Sequence, residues 1–331
     1  MIGVAVIGLG NAFVPHAKSL ADLADRVRVV WLASRDAGRI AAAAANHGWP
    51  ATNHVADAIR DPAVDAVLIL TPANTHLDLA EAAFAAGKHV LCEKPLDATT
   101  ERAERLVAAG RRAGRRLGVV LQTRFRRGSR RLYEAVMDGA LGKVEAASMS
   151  APWWRPQSYY DQPGRGTKQQ DGGGVLITQA IHAIDLFRWL VGISRVDAAQ
   201  VRQTTLHKME TEDYATALVR LGNGAPGTIT ATTSFYPGRP EWMEIIGTNG
   251  TARLERGSLR LSFLDGREET LADDAGSGSG ANVMAFSHHA HRELLTDFVD
   301  AIETGRDPAI TGEDALATQR VIDAILAKGS E

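Results

Sequence analysis

Ile2-Gly3-Val4-Ala5-Val6-Ile7-Gly8-Leu9-Gly10-Asn11-Ala12-Phe13 is an apolar run that feeds directly into a two-glycine turn. A run that is apolar without alternation marks a strand buried on both faces. Gly8 allows a tight turn, and Gly10 lets the backbone approach a pyrophosphate seated at the amino terminus of the following helix. Asn11 and Ala12 complete that turn, and a helical pattern continues through Leu20 and Leu23. Phe13 stands where a third glycine normally permits close helix–strand packing, so either the helix is shifted or the ring is turned outward. The stretch predicts a nucleotide-binding βα unit.

The same alternation continues downstream. Apolar strands are expected at Val27–Ala33, Asp65–Leu70, His89–Glu93 and Leu117–Gln122, with helices at Ala37–His47, Leu77–Ala86 and Thr100–Ala113. Strict β–α alternation predicts a doubly wound parallel sheet, the Rossmann arrangement, over residues 1–122. An NAD site usually offers an acidic residue at the end of the second strand to hold the ribose 2′-hydroxyl. Here the chain reads Ala33-Ser34-Arg35-Asp36-Ala37-Gly38-Arg39. The Ser34 hydroxyl and the Arg35 and Arg39 guanidinium groups suit a 2′-phosphate, so NADP is expected, with NAD as the alternative because Asp36 lies close by.

Bulk properties set limits on function. A chain of 331 residues suggests two domains, and 45% hydrophobic with 23% charged residues is ordinary for a soluble globular protein. The net charge of -2 gives no global positive field for nucleic acid. The arginines at 111–112, 115–116, 124, 126–127 and 130–131 read as a solvated or interface face. One cysteine, Cys92, excludes an internal disulfide, fits a reducing compartment and reads as core packing. The first ten residues lack a basic flank and a cleavage site, and no window approaches the ~20 apolar residues of a membrane span. A cytoplasmic protein with no membrane partner is expected.

Residues 123–331 have a different pattern. Strands recur at short spacing at Val144–Met149, Val196–Thr204, Tyr214–Leu221, Gly227–Ser234, Glu241–Gly247, Gly250–Arg256 and Ser258–Phe263. Gly222-Asn223-Gly224 and Asn249-Gly250 are hairpin signals. Helices are expected at Ser129–Asp138, Gly174–Val191 and His288–Thr304, with a last helix at Gly312–Ala327 that could return to the first domain. This is an α+β domain with an open, mostly antiparallel sheet, whose uncovered face suits a second subunit in a homodimer or homotetramer. Gly276-Ser277-Gly278-Ser279-Gly280 reads as a flexible loop.

Two segments carry the chemistry. Glu93-Lys94-Pro95 closes an apolar strand and places a lysine at the carboxyl edge where α/β sheets hold ligands. Asp171-Gly172-Gly173-Gly174 opens a helix on which Thr178, His182 and Asp185 share one stripe at i, i+4 and i+7. A polar stripe on a buried helix is a satisfied core network or a site; with a nucleotide fold upstream, catalysis is the favoured reading. Trp153-Trp154-Arg155-Pro156-Gln157-Ser158-Tyr159-Tyr160 suits a polar ligand such as a sugar, or a dimer contact. No metal site is expected.

Gly8-x-Gly10 followed by His16, Thr71-Pro72-x-Asn74-x-His76, Glu93-Lys94-Pro95, and the triple glycine leading to His182-x-x-Asp185 resemble, in that order, the Gfo/Idh/MocA family of NAD(P)-dependent oxidoreductases. The resemblance spans nearly the whole chain. It implies hydride transfer at the CH–OH groups of sugars, cyclitols or related polyols, or the reverse on keto-sugars. By resemblance Lys94 is the positioning or proton-relay lysine and His182 the acid/base. Thr71, Pro72, Asn74, His76, Glu93 and Gln122 would line the cofactor, with Arg155 near nicotinamide and substrate. Arg124, Trp154, Tyr159 and Asp171 would join Lys94, Arg155, Thr178 and His182 around the substrate. The family often has Asp where this chain has Thr178, so either Asp185 orients the histidine in its place or the relay differs. The Ser34–Arg39 segment resembles NADP-using sugar reductases. An NAD-dependent glycosidase on this fold and a noncatalytic NAD(P)-sensing protein are the alternative functions.

Overall fold

The computed structural model describes residues 1–273 and 287–330. The glycine–serine run at 276–280 lies outside the described residues. The chain forms two compact units, residues 1–122 with 288–317 and residues 123–287 with 318–331. Residues 288–317, grouped with the second domain from sequence, cluster with the first unit.

In the first unit the elements are β1 (Ile2–Ile7), α1 (Phe13–Asp22), β2 (Val27–Ala33), α2 (Ala37–His47), β3 (Ala51–Thr52), α3 (Val55–Arg60), β4 (Ala66–Ile69), α4 (His76–Ala85), β5 (His89–Cys92), α5 (Thr100–Ala113) and β6 (Leu117–Val119). The six strands lie in the order β3-β2-β1-β4-β5-β6 and every pair is parallel. The order reverses between β1 and β4, so the carboxyl ends of these strands border the crevice where such sheets take ligands. β4 is buried at every position, as is β1 after Ile2, which explains their unbroken apolar sequence. Cys92, at the end of β5, is buried in this core. β3 and α3 were not anticipated. The last strand is shorter than expected, because the chain turns into a 3₁₀ segment at Gln122–Phe125.

Phe13 corrects one of the two alternatives read from the glycine turn. Its ring is not turned outward: it is 6% exposed and meets the His47 ring edge-on at 5.6 Å. Gly8 is required by its surroundings. It has φ +103°, and a Cβ there would lie 2.8 Å from the Leu70 carbonyl.

The second unit contains α6 (Arg127–Met137), β7 (Val144–Pro152), α7 (Gln157–Tyr160), α8 (Lys168–Asp171), α9 (Val175–Thr178), α10 (Ile181–Val191), β8 (Ile193–Arg202), β9 (Tyr214–Leu221), β10 (Pro226–Thr232), β11 (Trp242–Gly247), β12 (Gly250–Glu255), β13 (Ser258–Phe263) and β14 (Glu268–Leu271). The eight strands are ordered β14-β13-β12-β11-β7-β10-β9-β8, antiparallel except for the β7–β10 pair. One face is apolar, through Ala147, Met149, Ala217, Val219, Ile229 and Ile245, and packs against α6, α9 and α10. The opposite face alternates polar residues with the exposed Leu218 and Ile246. Two further helices complete the chain, α11 (His289–Thr304), which packs on α1 in the first unit, and α12 (Gly312–Lys328). Among the described residues no single helix is long and apolar enough to cross a membrane.

The expected single helix over 174–191 is two helices, α9 and α10, and the segment Lys168–Thr178 lies at 51° to α10. The Thr178 hydroxyl donates back to the Gly174 carbonyl at 2.5 Å, and the Ala180 amide reaches the Val175 carbonyl at 2.8 Å, five residues back. Back-bonding and a wide turn both bend helices. The i, i+4, i+7 stripe of Thr178, His182 and Asp185 is therefore interrupted. Gly174 is obligatory, because a Cβ would lie 1.8 Å from the Glu212 carbonyl oxygen.

Asp185 faces Arg124. The carboxylate accepts from Arg124 Nε at 2.6 Å and Nη2 at 2.5 Å, and from the Thr318 hydroxyl at 2.8 Å. Both side chains are buried, and Arg188 Nε donates to Thr318 at 2.9 Å. The fork of Arg124, expected at the substrate, is committed to this pair, and the Asp185 charge is met by arginine. Breaking a buried pair costs about 3–5 kcal/mol, whereas exchanging both partners for apolar residues is often neutral. Asp185→Asn is thus expected to lose about 3–5 kcal/mol in a denaturant titration, and Arg124→Met/Asp185→Leu to regain most of it. A single variant as stable as the parent refutes this structural role.

Candidate functional site

The first unit gathers its chemistry at the carboxyl ends of β1, β4 and β5. The β1–α1 turn carries Gly8, Gly10, Asn11 and Ala12, and no side chain caps the amino terminus of α1. The Phe13 and Val14 amides donate within the turn, to the Gly10 carbonyl at 3.0 Å and the Asn11 carbonyl at 3.3 Å, and Pro15 has no N–H. At the end of β2, Ser34 Oγ accepts from the Asp36 amide at 3.2 Å. Asp36 caps α2 through the Arg39 amide at 3.1 Å and pairs with Arg39 Nε at 3.4 Å. Arg39 Nη1 lies 3.4 Å from where a Cβ of Gly10 would be, so its guanidinium overhangs the glycine turn. Arg35 is exposed. Gln122 Oε1 is buried and has no hydrogen-bond partner among the described residues. A glycine cradle and a buried acceptor fit a nicotinamide dinucleotide.

Behind these groups lies a chain of contacts. His76 is buried, with Nε2 2.8 Å from the Thr71 carbonyl oxygen and Nδ1 3.0 Å from that of Pro95. It ties two loops together, since both ring nitrogens face backbone carbonyls. The Thr71 and Thr75 hydroxyls meet at 2.7 Å, and the Asn74 carbonyl accepts from Arg102 Nη2 at 3.2 Å. Glu93 Oε1 lies 3.1 Å from His16 Nε2, and Glu93 Oε2 accepts from the Lys94 amide at 3.1 Å. His16 is also edge-on to His291, with centroids 5.1 Å apart. Lys94 precedes a cis peptide bond to Pro95 and is partly exposed.

In the second unit His182 lies in the first turn of α10, partly exposed, and its carbonyl accepts from the Thr123 hydroxyl at 3.3 Å. Thr178, at the end of α9, adjoins Gln179, whose amide donates to the Tyr159 hydroxyl at 3.4 Å. Glu212 caps α9, accepting from the Gly174 and Leu176 amides, both at 3.1 Å. Burial raises the Glu212 carboxyl, and those amides oppose the rise. Asp171 holds its own loop, accepting from the Gly166 amide at 2.9 Å and facing Arg165 Nη1 at 3.5 Å. The Arg155 guanidinium is buried near Trp153 at 5.3 Å and Tyr159 at 5.9 Å, and burial lowers its pKa. Arg165 also stacks on Tyr159, at 5.3 Å. Trp154 bridges to Ser234, with its ring 5.4 Å from Tyr236.

Sequence reasoning missed a buried polar cluster beneath this aromatic loop. His207 Nδ1 lies 2.7 Å from Asp213, which also accepts from the Thr204 amide and hydroxyl, each at 2.6 Å, and from the Ser234 hydroxyl at 2.7 Å. Burial pushes the Asp213 carboxyl up, but the donors from His207, Thr204 and Ser234 outweigh it and hold the group at about 2, below the ordinary 3.8. The only local signal was Glu212-Asp213, an acidic pair set directly before an apolar strand.

Residues 2–121 match the model of an oxidoreductase family with an NAD-binding Rossmann fold, and residues 129–253 match the GFO/IDH/MocA C-terminal domain. The chain is 28% identical to myo-inositol 2-dehydrogenase of Thermotoga maritima, over 94% of this chain and 91% of that protein. It is 30% identical to 1,5-anhydro-D-fructose reductase of Ensifer adhaerens, over 87% and 84%. Its structure resembles the WlbA dehydrogenase of Bordetella pertussis in complex with NADH and UDP-GlcNAcA, at a TM-score of 0.85 and 27% identity, covering 100% of this chain and 97% of that one.

The Asp213 cluster has a pH signature. A carboxyl whose folded pKa is depressed contributes stability that is present above its unfolded value and lost as pH falls through the folded one. The difference in melting temperature between the parent and Asp213→Asn is expected to be largest above pH 3.8 and to close as pH falls toward about 2. A difference that stays constant across that window would show that Asp213 is not the titrating group.

Proposed function

The chain belongs to the Gfo/Idh/MocA family of oxidoreductases, and from that membership we propose that it transfers a hydride between a nicotinamide cofactor and a carbinol carbon of a sugar, cyclitol or related polyol. The observation that carries this reading is a pyrophosphate-type glycine turn after β1 with Lys94 at the end of β5, both on the carboxyl edge of one parallel sheet. The named activities of the inositol and anhydrofructose relatives support the substrate class.

Gly8, Gly10, Asn11 and Ala12 would hold the pyrophosphate, and Ser34, Arg35 and Arg39 the adenosine ribose. Thr71, Pro72, Asn74, Glu93 and Gln122 would border the nicotinamide. When bound, the cofactor supplies the carbon that accepts or gives the hydride. The Lys94 ammonium would stabilise the alkoxide left as the hydroxyl proton departs in oxidation, or formed as hydride reaches the carbonyl carbon in reduction. His182 takes the hydroxyl proton in oxidation and returns it in reduction. The hydrogen bond that the Lys94 amide donates to the Glu93 carboxylate, itself held by His16, keeps the lysine backbone in place. Arg155 and the aromatic loop would orient the substrate, where aromatic faces suit a sugar ring.

Lys94→Ala and His182→Ala are each expected to lower kcat by roughly 10²–10⁴ while cofactor affinity changes less. The assay is reduced-nicotinamide absorbance against a panel of polyols and keto-sugars. Near-normal turnover in both variants would end this mechanism.

The cofactor preference is proposed to be NADP, supported by Ser34 and by the Arg39 guanidinium that overhangs Gly10. NAD is the competing reading, favoured by the Asp36–Arg39 pair, which offers a carboxylate at the same place, and by the NADH of the related WlbA complex. In fluorescence titrations NADP(H) should bind more tightly than NAD(H). Rising salt should weaken that preference, and Arg35→Ala/Arg39→Ala should abolish it selectively. Equal or tighter binding of NAD(H) by the unaltered protein reverses the assignment.

A further inference from the structure

The backbone of Arg155 is held from two sides. Its amide donates to the Thr233 carbonyl at 2.9 Å, and its own carbonyl oxygen lies 2.8 Å from His207 Nε2. Through Nδ1, 2.7 Å from the carboxylate, His207 is anchored on Asp213. Asp213 is anchored in turn by Thr204 and Ser234, which lie on either side of it in sequence. Arg155, His207 and Asp213 are all buried, and the His207 ring is packed by Trp154 at 5.7 Å and Tyr160 at 4.8 Å. The Tyr160 and Thr233 hydroxyls meet at 2.6 Å, closing the cluster on the strand that binds the Arg155 amide.

Both nitrogens of His207 face acceptors, the Asp213 carboxylate and the Arg155 carbonyl, so the ring is held at both ends. The contribution of such a buried polar contact lies in the one geometry it specifies. Nothing in this cluster presents a nucleophile: the Ser234 hydroxyl donates to the same carboxylate oxygen as His207, and the far nitrogen of the ring is occupied by backbone.

We infer that His207 and Asp213 are positioning residues for Arg155, fixing the Trp154–Arg155 backbone and so the direction in which the guanidinium is presented to substrate. The inference rests on the proposed reading of Arg155 as a substrate contact. It predicts that disturbing the pair impairs the handling of substrate while leaving the glycine turn of the first unit, and therefore cofactor affinity, unaltered.

The test uses the full chain labelled with ¹⁵N-arginine. The Nε–H resonance of Arg155 is identified by its loss in Arg155→Lys. In His207→Leu and Asp213→Asn that resonance is expected to shift or broaden. With myo-inositol or 1,5-anhydro-D-fructose as the probe, kcat/KM is expected to fall roughly 10–100-fold at unchanged cofactor Kd, as a displaced orienting group does. His207→Gln, which keeps one donor toward the Arg155 carbonyl, should recover part of the loss. If His207→Leu does not fold, Asp213→Asn and His207→Gln give the same readouts. An Arg155 resonance unmoved in the folded variants overturns the inference. A resonance that moves, while Arg155→Lys keeps full kcat/KM, supports the clamp and removes the substrate role from Arg155.

Discussion

The missing side chain of Gly8 is the constraint on which the first unit depends. Without a Cβ, the turn after β1 lies directly on the Leu70–Thr71 backbone at the end of β4. From there contacts run in a closed circuit around the carboxyl edge. Thr71 is bound by His76, His76 reaches Pro95, Lys94 donates to Glu93, and Glu93 meets His16 on the helix that Gly8 introduces. Each link is a directional polar contact between segments that a parallel sheet already brings close. The lysine proposed to act on substrate is thus built into the same frame as the cofactor turn.

The second unit solves a different problem. An open sheet with helices on one face leaves its loops to be organised by polar contacts, and three buried acidic groups do this. Asp185 joins α10 to Arg124 and Thr318, Glu212 terminates α9, and Asp213 gathers the ends of the loops around β8, β9 and β10. Each is met by several donors, as a buried charge requires. The α10 helix that carries His182 and the aromatic loop rest on these anchors, which themselves face inward.

How far the fold could be read follows from the range of each interaction. β1 and β4 are legible because a strand buried on both faces must be apolar throughout. β3 escaped because Ala51–Thr52 is too short to show a period. The bend in the 174–191 segment has no local marker, since Gln179 and Ala180 are acceptable in a helix; a side-chain back-bond and a cap from residue 212 create it. Asp185 lies in helical register with His182, yet its partner is 61 positions away in sequence. The positions of Lys94 and the glycine turn at strand ends could be read because such motifs are local in sequence. His207 and Asp213 could not, because their pairing needs the sheet to exist first.

Cys92 shows what the depth of the core offers an experimenter. The only cysteine of the chain is buried at the end of β5, and burial, with the charges of Glu93 and Asp97, pushes its thiol well above the ordinary value. Thiolate is the reacting species, so this sulfur is inert toward alkylating reagents. The native chain therefore serves as a silent background. A cysteine placed on an exposed face would take up a spin label or fluorophore alone, with the native Cys92 left in place.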